Sequence, residues 1–333
     1  MGIPLIDLAG ALHAGAPRTP AVAAVVSQLR QACTETGFFY VLNHGVPQEL
    51  IARQFALARQ FFDLPLADKE AISLHHSPSM RGYERLGGQT LDANARPDLK
   101  ESFYCGLDYA ADHPYVLRGY QSYGSNQWPA GLPELAAYSR LYIAALQQLA
   151  LRLMQLLALS LQLREDYFDP MHANPMLTLR MLRYPPHPEG ADASTFGAGE
   201  HTDWGAITLL AQDGHGGLEV KLPDGTWVDA TPVQGALVVN LGDMVPRWTN
   251  GLYRSNPHRV RNVYSGGAPR YSLPFFYTPD YEAQVAPVAT CVPAGERPRF
   301  EPCTVGEHLQ AMYRKTYGLG HRAASSTTAA VMA

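Results

Sequence analysis

One spacing in this chain could do metal chemistry: His201-Thr-Asp203, with His258 further on. Two imidazoles and one carboxylate can cap one face of a metal and leave positions open for other ligands. Two neutral nitrogens and one hard anion also leave ferrous iron oxidisable. On a strand, residues i and i+2 leave the same face, so His201 and Asp203 would point together and His258 would add a third donor from a later strand. The triplet alone is weak. With 12 histidines and 30 acidic residues, about one His-x-Asp/Glu arises by chance. A second copy, His187-Pro-Glu189, lies in Pro185-Pro-His-Pro-Glu-Gly190 and reads as a loop that splays its side chains. The first copy stands just before an apolar strand candidate at 206–210. Zinc is the rival metal, since two His and one carboxylate also suit a hydrolytic site.

Arg270 and Ser272 follow His258. With Tyr271 on a strand, both would leave its opposite face. A guanidinium fork and a hydroxyl together make a receptor for a buried carboxylate, for which a zinc hydrolase has no use. The other histidines carry no such pattern. His44 in Asn-His-Gly-Val reads as a turn histidine, and His75 and His76 as a surface loop. For His172, His215, His308 and His321, solvent exposure is the expectation.

The elements that must position these groups change character along the chain. Residues 3–8 form a short apolar strand candidate. Residues 21–35 and 48–62 have helical apolar spacing, with a buried strand at 38–42 between them. Residues 75–130 are rich in Gly, Pro, Tyr and Ser and read as irregular strands and long loops. A long helix follows from 133 to about 161, with Pro133 near its first turn. From 176 onward, short β-like segments at 177–184, 206–210, 217–220, 236–239 and 271–277 alternate with turn residues, the pattern of an all-β sandwich or jelly roll. A closing helix is expected at 307–317 and a disordered tail at 323–333. The organisation is therefore an N-terminal region at 1–130 and a long helix with a β core at 131–322.

Composition excludes several classes. The 333 residues are 46% hydrophobic and 17% charged, with a net charge of −4, which is enough apolar content for a sizeable core. No Lys/Arg run marks a nucleic-acid footprint. The start of the chain lacks the flanks of a signal peptide. The apolar stretch 135–163 is broken by Arg140, Gln147, Gln148, Arg152 and Gln155, so no membrane span is expected. Four scattered cysteines with no short-spaced pair argue against a zinc ribbon and suit a reducing cytoplasm. Without a sustained heptad, a monomer is expected.

Several blocks in order give the chain a family likeness. They are Ile3-Pro-Leu-Ile-Asp7, Gly37-Phe-Phe-Tyr-Val-Leu-Asn-His-Gly-Val46, Phe61-Phe-Asp-Leu-Pro65, Arg81-Gly-Tyr83 and Asp98-Leu-Lys-Glu-Ser-Phe103. Then come His201-Thr-Asp-Trp204, Asn240-Leu-Gly-Asp243, Trp248-Thr-Asn-Gly251, Ser255-Asn-Pro-His-Arg-Val260 and Arg270-Tyr-Ser272. In this order they resemble the isopenicillin N synthase-like family of iron(II) and 2-oxoglutarate-dependent oxygenases over nearly the whole chain. The resemblance implies a double-stranded β-helix core with a helical, mixed N-terminal part. It implies Fe(II) on His201, Asp203 and His258, dioxygen, and 2-oxoglutarate held by Arg270, Ser272 and Tyr184. It implies a small-molecule substrate that is oxidised, by hydroxylation in the usual case, with succinate and CO2 as coproducts. By the same matching, Phe276, Trp204 and Arg183 would wall the pocket, with Tyr83 and Glu84 closing it. Core packing is the rival reading for Phe276 and solvent exposure for Glu84. Two alternatives stay open. Leu182-Arg-Tyr-Pro185 and Arg270-Tyr-Ser-Leu-Pro-Phe-Phe276 lean toward isopenicillin N synthase, which binds its substrate's carboxylate this way and uses no 2-oxoglutarate. A barrel that binds a metal or small molecule without turnover is the other.

Overall fold

The structure is a computed structural model and describes residues 2–13, 19–91, 97–186, 196–261 and 267–317. The first half runs β1 (Leu5–Asp7), α1 (Pro20–Glu35), β2 (Phe38–Leu42), α2 (Gln48–Phe62), α3 (Leu66–Glu70), β3 (Gly82–Glu84), β4 (Glu101–Gly106), α4 (Pro114–Leu117) and α5 (Glu134–Ser160). The second runs β5 (Met176–Tyr184), β6 (Ala198–His201), β7 (Ile207–Gln212), β8 (Leu218–Lys221), β9 (Trp227–Asp229), β10 (Leu237–Leu241) and α6 (Met244–Trp248). It closes with β11 (His258–Val260), β12 (Arg270–Thr278), β13 (Gln284–Val285), β14 (Cys303–Thr304) and α7 (Val305–Tyr317).

Local chemistry explains the helices that support the sheet. Thr19 caps α1, its hydroxyl accepting from the Val22 amide at 3.2 Å, and Pro20 opens the first turn. Val22, Val25 and Leu29 recur on one face and are buried. α5 is long and apolar enough to cross a membrane by composition. Here two-thirds of its most apolar window is buried, and it packs on α1, α2 and the major sheet.

Two sheets face each other. The major sheet has eight strands in the order β1-β2-β10-β7-β12-β5-β4-β3, and the minor sheet has four, β6-β11-β8-β9. The period-2 pleat sorts the side chains of the major sheet into two cores. Phe39, Val41, Leu209, Val239, Leu273, Phe275 and Leu179 face the helices. Phe38, Tyr40, Val238, Leu182 and Tyr184 face inward and meet Ala198, Leu218, Val220 and Val260 of the minor sheet. This is the expected jelly-roll core. β1 to β4, all from the first 130 residues, form both edges of the major sheet. The division at 130 is therefore one of sequence, and the two parts share a sheet.

Two short strands, β6 and β11, carry His201 and His258 as expected of these ligands, although neither shows the apolar pattern that marked the other β segments. Two histidines expected in solvent are buried: His172 at 8% and His308 at 7% relative exposure. Long-range packing covers them. The His172 ring stacks on Tyr277 with centroids 4.5 Å apart, and His308 Nε2 donates to the Trp204 carbonyl at 3.0 Å. His44 is the expected turn histidine, its Nδ1 accepting from the Val46 amide at 3.1 Å. His75 and His76 are exposed. His187-Pro-Glu189, His321 and the 323–333 tail lie outside the described residues.

His172 should make the fold acid-sensitive. Its Nδ1 donates to the Phe168 carbonyl at 2.9 Å, and Nε2 has no hydrogen-bond partner among the described residues. Burial pulls the imidazole from 6.5 down to about 4. Between those values the unfolded chain takes a proton that the folded chain refuses, so stability falls as pH falls through this window and levels off below it. The variant His172→Phe lacks this penalty. In urea unfolding, the stability of the wild type relative to the variant should drop by about 2–3 kcal/mol between pH 7 and pH 4.5. A difference that does not change with pH would contradict the assignment.

Candidate metal centre

β11 lies between β6 and β8, and its register sets His258 directly opposite His201. The two imidazole centroids are 4.3 Å apart. Asp203 arrives differently from the expectation. β6 ends at His201, so Asp203 sits in the β6–β7 connection and the pleat does not aim it. Backbone clamps do. The Asp243 amide donates to the Asp203 carbonyl at 2.8 Å and the Gly242 amide to the Ala206 carbonyl at 2.8 Å. A Cβ at Gly242 would stand 2.3 Å from the Gly205 carbonyl oxygen, so this close approach requires glycine.

The ligand atoms of His201, Asp203 and His258 lie within 4.8 Å of one another. His201 Nδ1 donates to the Gly199 carbonyl at 2.7 Å and His258 Nδ1 to the Asn256 carbonyl at 3.3 Å. These bonds fix the tautomer and leave each Nε2 free for a metal. Asp203 Oδ2 accepts from Thr208 Oγ1 at 2.5 Å and Asn240 Nδ2 at 2.7 Å, which leaves Oδ1, 3.9 Å from His258 Nε2, turned toward the same point. Burial, reinforced by His258, pulls His201 down to about 3, so its imidazole is neutral and ready to coordinate at neutral pH. Burial alone would raise the Asp203 carboxyl. The two imidazoles and the Asn240 and Thr208 hydrogen bonds outweigh it and hold the group below its usual value. A neutral N,N set with one carboxylate fits a divalent iron ion.

The second expected group stands on the major sheet. Arg270 and Ser272 both point inward from β12 and are each 2% exposed. Tyr184 pairs with Arg270 across the β5 register, and the guanidinium carbon lies 4.8 Å from its ring centroid. Arg270 Nε donates to the Gly216 carbonyl at 2.5 Å and Nη2 to Gln212 Oε1 at 3.2 Å. Nη1 is buried with no hydrogen-bond partner among the described residues. A buried cation with an unused donor and no carboxylate of its own is costly unless a ligand completes it. The groups present therefore fit an incoming carboxylate.

Comparison with known proteins agrees with this pairing. A profile described as the 2OG-Fe(II) oxygenase superfamily matches residues 173–279. One described as the N-terminal region of the non-haem dioxygenase in morphine synthesis matches 3–131. A 2-oxoglutarate-Fe(II) type oxidoreductase of Emericella nidulans, hxnY, is 42% identical over 305 residues, covering 90% of this chain and 86% of that protein. This chain belongs to the iron(II) and 2-oxoglutarate-dependent oxygenases. A homoarginine-6-hydroxylase of Glycine max is 35% identical over 318 residues, covering 92% and 95%. The crystal structure of a full-length Neurospora crassa protein in complex with alpha-KG and thymine superposes with a TM-score of 0.80 at 28% identity, covering 95% and 97%. The protein is thus a dioxygenase of a family that uses Fe(II), 2-oxoglutarate and O2, and a small-molecule substrate fits that family. Neither the oxidase reading without 2-oxoglutarate nor the non-catalytic barrel is favoured.

The pocket of this oxygenase differs in part from expectation. Phe276 points inward, half-buried, in register with Thr208 and Thr178. Trp204 follows Asp203, and its ring meets Tyr313 of α7 edge-on at 4.9 Å. Glu84 is half-buried rather than exposed, its Oε2 accepting from Arg180 Nη2 and the Tyr104 hydroxyl, both at 2.8 Å. Arg183 and Tyr83 do not reach the pocket. Their parity on β5 and β3 turns them to the helix side. There Arg183 Nη1 and the Tyr83 hydroxyl donate to the Glu101 carboxylate at 3.1 and 2.7 Å, which also takes Lys69.

The inward arginine of β5 is Arg180. Counting back in twos from Tyr184 would have found it. Asn240 and Thr208 were also missed as supports of Asp203, because only strand register brings them there. A second hidden pair precedes β4. Lys100 and Asp98 are 3% and 1% exposed and bonded to each other. Burial and Arg180 pull the Lys100 amine down to about 8, against the pull of Asp98. Asp98 Oδ1 also accepts from the Gly199 amide at 2.9 Å, which ties this pair to the strand that carries His201.

Proposed function

We propose that His201, Asp203 and His258 hold Fe(II), that Arg270, Ser272 and Tyr184 hold the far carboxylate of 2-oxoglutarate, and that the enzyme hydroxylates a small molecule lying against Phe276. One observation carries this reading: a converged two-imidazole, one-carboxylate set lies in the same barrel as a buried guanidinium with an unused donor. The bound iron and cosubstrate supply the oxidising power, with succinate and CO2 as coproducts.

The chain's own groups do the positioning. Asn240 and Thr208 hold Asp203 Oδ2, so Oδ1 is presented without a search. Gly199 and Asn256 hold the imidazoles in the tautomer that leaves Nε2 bare. Gly216 and Gln212 lock two edges of Arg270 and aim the third inward. Trp204 is braced by Tyr313 of α7, and Glu84 holds Arg180 on the inward face of the sheet. The Neurospora crassa structures contain thymine and 5-formyluracil, and the Glycine max relative is named for homoarginine. These ligands support a small, polar substrate.

The protein works as a cytoplasmic monomer with neither nucleic-acid nor membrane partners. The absence of a basic run in the sequence supports the lack of a nucleic-acid partner, and the burial of α5 the lack of a membrane partner. The test is turnover under isotopically heavy dioxygen with Fe(II), 2-oxoglutarate and a small-molecule extract. The expected product carries one heavy oxygen, with succinate in equal amount. A product formed without label and without succinate would overturn the reading.

A further inference from the structure

The strand that carries His201 is held from outside its own sheet. β6 is an edge strand of the minor sheet, beside β11. Its register with β11 slips. His258 pairs with His201 and Val260 with Ala198, so two steps along β11 meet three along β6. An extra residue of this kind bends a strand, re-aims the side chain beside it and takes a backbone group out of the ladder. Gly199 lies inside the slip. Its carbonyl accepts from His201 Nδ1 at 2.7 Å. Gly199 is buried, so its amide also needs an acceptor.

Asp98, from the first half of the chain, supplies that acceptor. Its Oδ1 takes the Gly199 amide at 2.9 Å. One residue on, the Leu99 amide donates to the Phe196 carbonyl at 2.9 Å. Residues 98 and 99 thus close the free edge of β6 at two points. The Asp98 amide is fixed in turn on the Gln89 carbonyl at 2.9 Å. Oδ2 pairs with Lys100, and both side chains are almost fully buried. A carboxylate is tolerable at such depth only with a bonded counter-charge. Gly199 therefore receives the anchor at its amide and holds the imidazole at its carbonyl.

We propose that Asp98 is a positioning residue of the iron site: through Gly199 it fixes the bulge in β6 that aims His201 Nε2 at the metal, with Lys100 as its counter-ion. The proposal rests on the metal assignment above and adds a contribution of the N-terminal region to it.

Two charge-free double variants separate this role from burial of the ion pair. Lys100→Met with Asp98→Asn removes both charges and keeps a side-chain oxygen for the Gly199 amide. Lys100→Met with Asp98→Ala removes both charges and the oxygen. Iron affinity is read by equilibrium dialysis against Fe(II), with the unfolding temperature measured alongside. The asparagine form should stay within about threefold of the wild type, and the alanine form should lose about 10–100-fold, the scale for a group that orients a metal ligand. At iron saturation the alanine form should also show a displaced charge-transfer band with 2-oxoglutarate, a signature that lowered stability alone would not move. Equal iron affinity in the two forms, with the band in place, overturns the proposal alone. Wild type that takes up no Fe(II) overturns the metal assignment and the proposal with it. Should the alanine form fail to fold, hydrogen exchange of the wild type decides. Coupling is reciprocal, so Fe(II) should slow exchange of the Gly199 amide, and an unchanged rate overturns the role of Asp98.

Discussion

His201→Ala and Asp203→Asn should each lose more than about 100-fold in iron affinity, and turnover with it. Removing a partner of a metal ligand already costs about 10–100-fold, and these residues are the ligands themselves. The two variants fail for different reasons. Alanine at 201 deletes a neutral nitrogen whose Nδ1 is anchored on Gly199. Asparagine at 203 keeps the shape and can still accept from Thr208 and Asn240, but removes the only anion among the three. Equilibrium dialysis against Fe(II), with circular dichroism to confirm the fold, separates metal loss from unfolding. Wild-type iron content in either folded variant would remove that residue from the ligand set.

Arg270→Leu should weaken 2-oxoglutarate by about 30-fold or more. Truncating one partner of a buried, hydrogen-bonded charge pair costs about 2–5 kcal/mol, and about 1.4 kcal/mol is tenfold. The same change should leave the ligand-free protein about as stable as before, or more so, because it removes a buried cation whose Nη1 has no partner among the described residues. The diagnostic result is therefore a split: an unfolding temperature held or raised without cosubstrate, and no further rise when 2-oxoglutarate is added. Arg270→Lys keeps the charge but loses the fork anchored on Gly216 and Gln212, and should fall between the two. Unaltered cosubstrate affinity in Arg270→Leu would take Arg270 out of the clamp.

Much of this site is visible in residue spacing, and the reasons it is not all visible are physical. Arg270-x-Ser272 could be read from strand parity because β12 is a long apolar strand with a clear pleat. β6 and β11 could not, being four and three residues long and carrying glycine, glutamate, arginine and histidine where apolar alternation would mark a strand. The pairing of His201 with Asp203 by the i, i+2 rule reached the right residues through the wrong geometry, since loop clamps on Gly242 and Asp243 aim the carboxylate. Arg183 was placed in the pocket by matching, yet it lies one residue from Tyr184 on the same strand and must face the other way. Arg180 has the right parity but no motif of its own. The supports of Asp203 come from β7 and β10, and the covers of His172 and His308 from β12 and the β6–β7 connection. Such contacts are set by register and packing across long sequence separations, which no local pattern carries.

The central claim is one iron-binding triad and one carboxylate clamp serving a single cosubstrate. Its most direct test is an anaerobic titration of the Fe(II)-loaded protein with 2-oxoglutarate, following the weak visible charge-transfer band of the chelate. The band should saturate at one equivalent in the wild type, be absent in His201→Ala, and need at least about 30-fold more cosubstrate in Arg270→Leu. Iron bound with no band at any 2-oxoglutarate concentration would contradict the account.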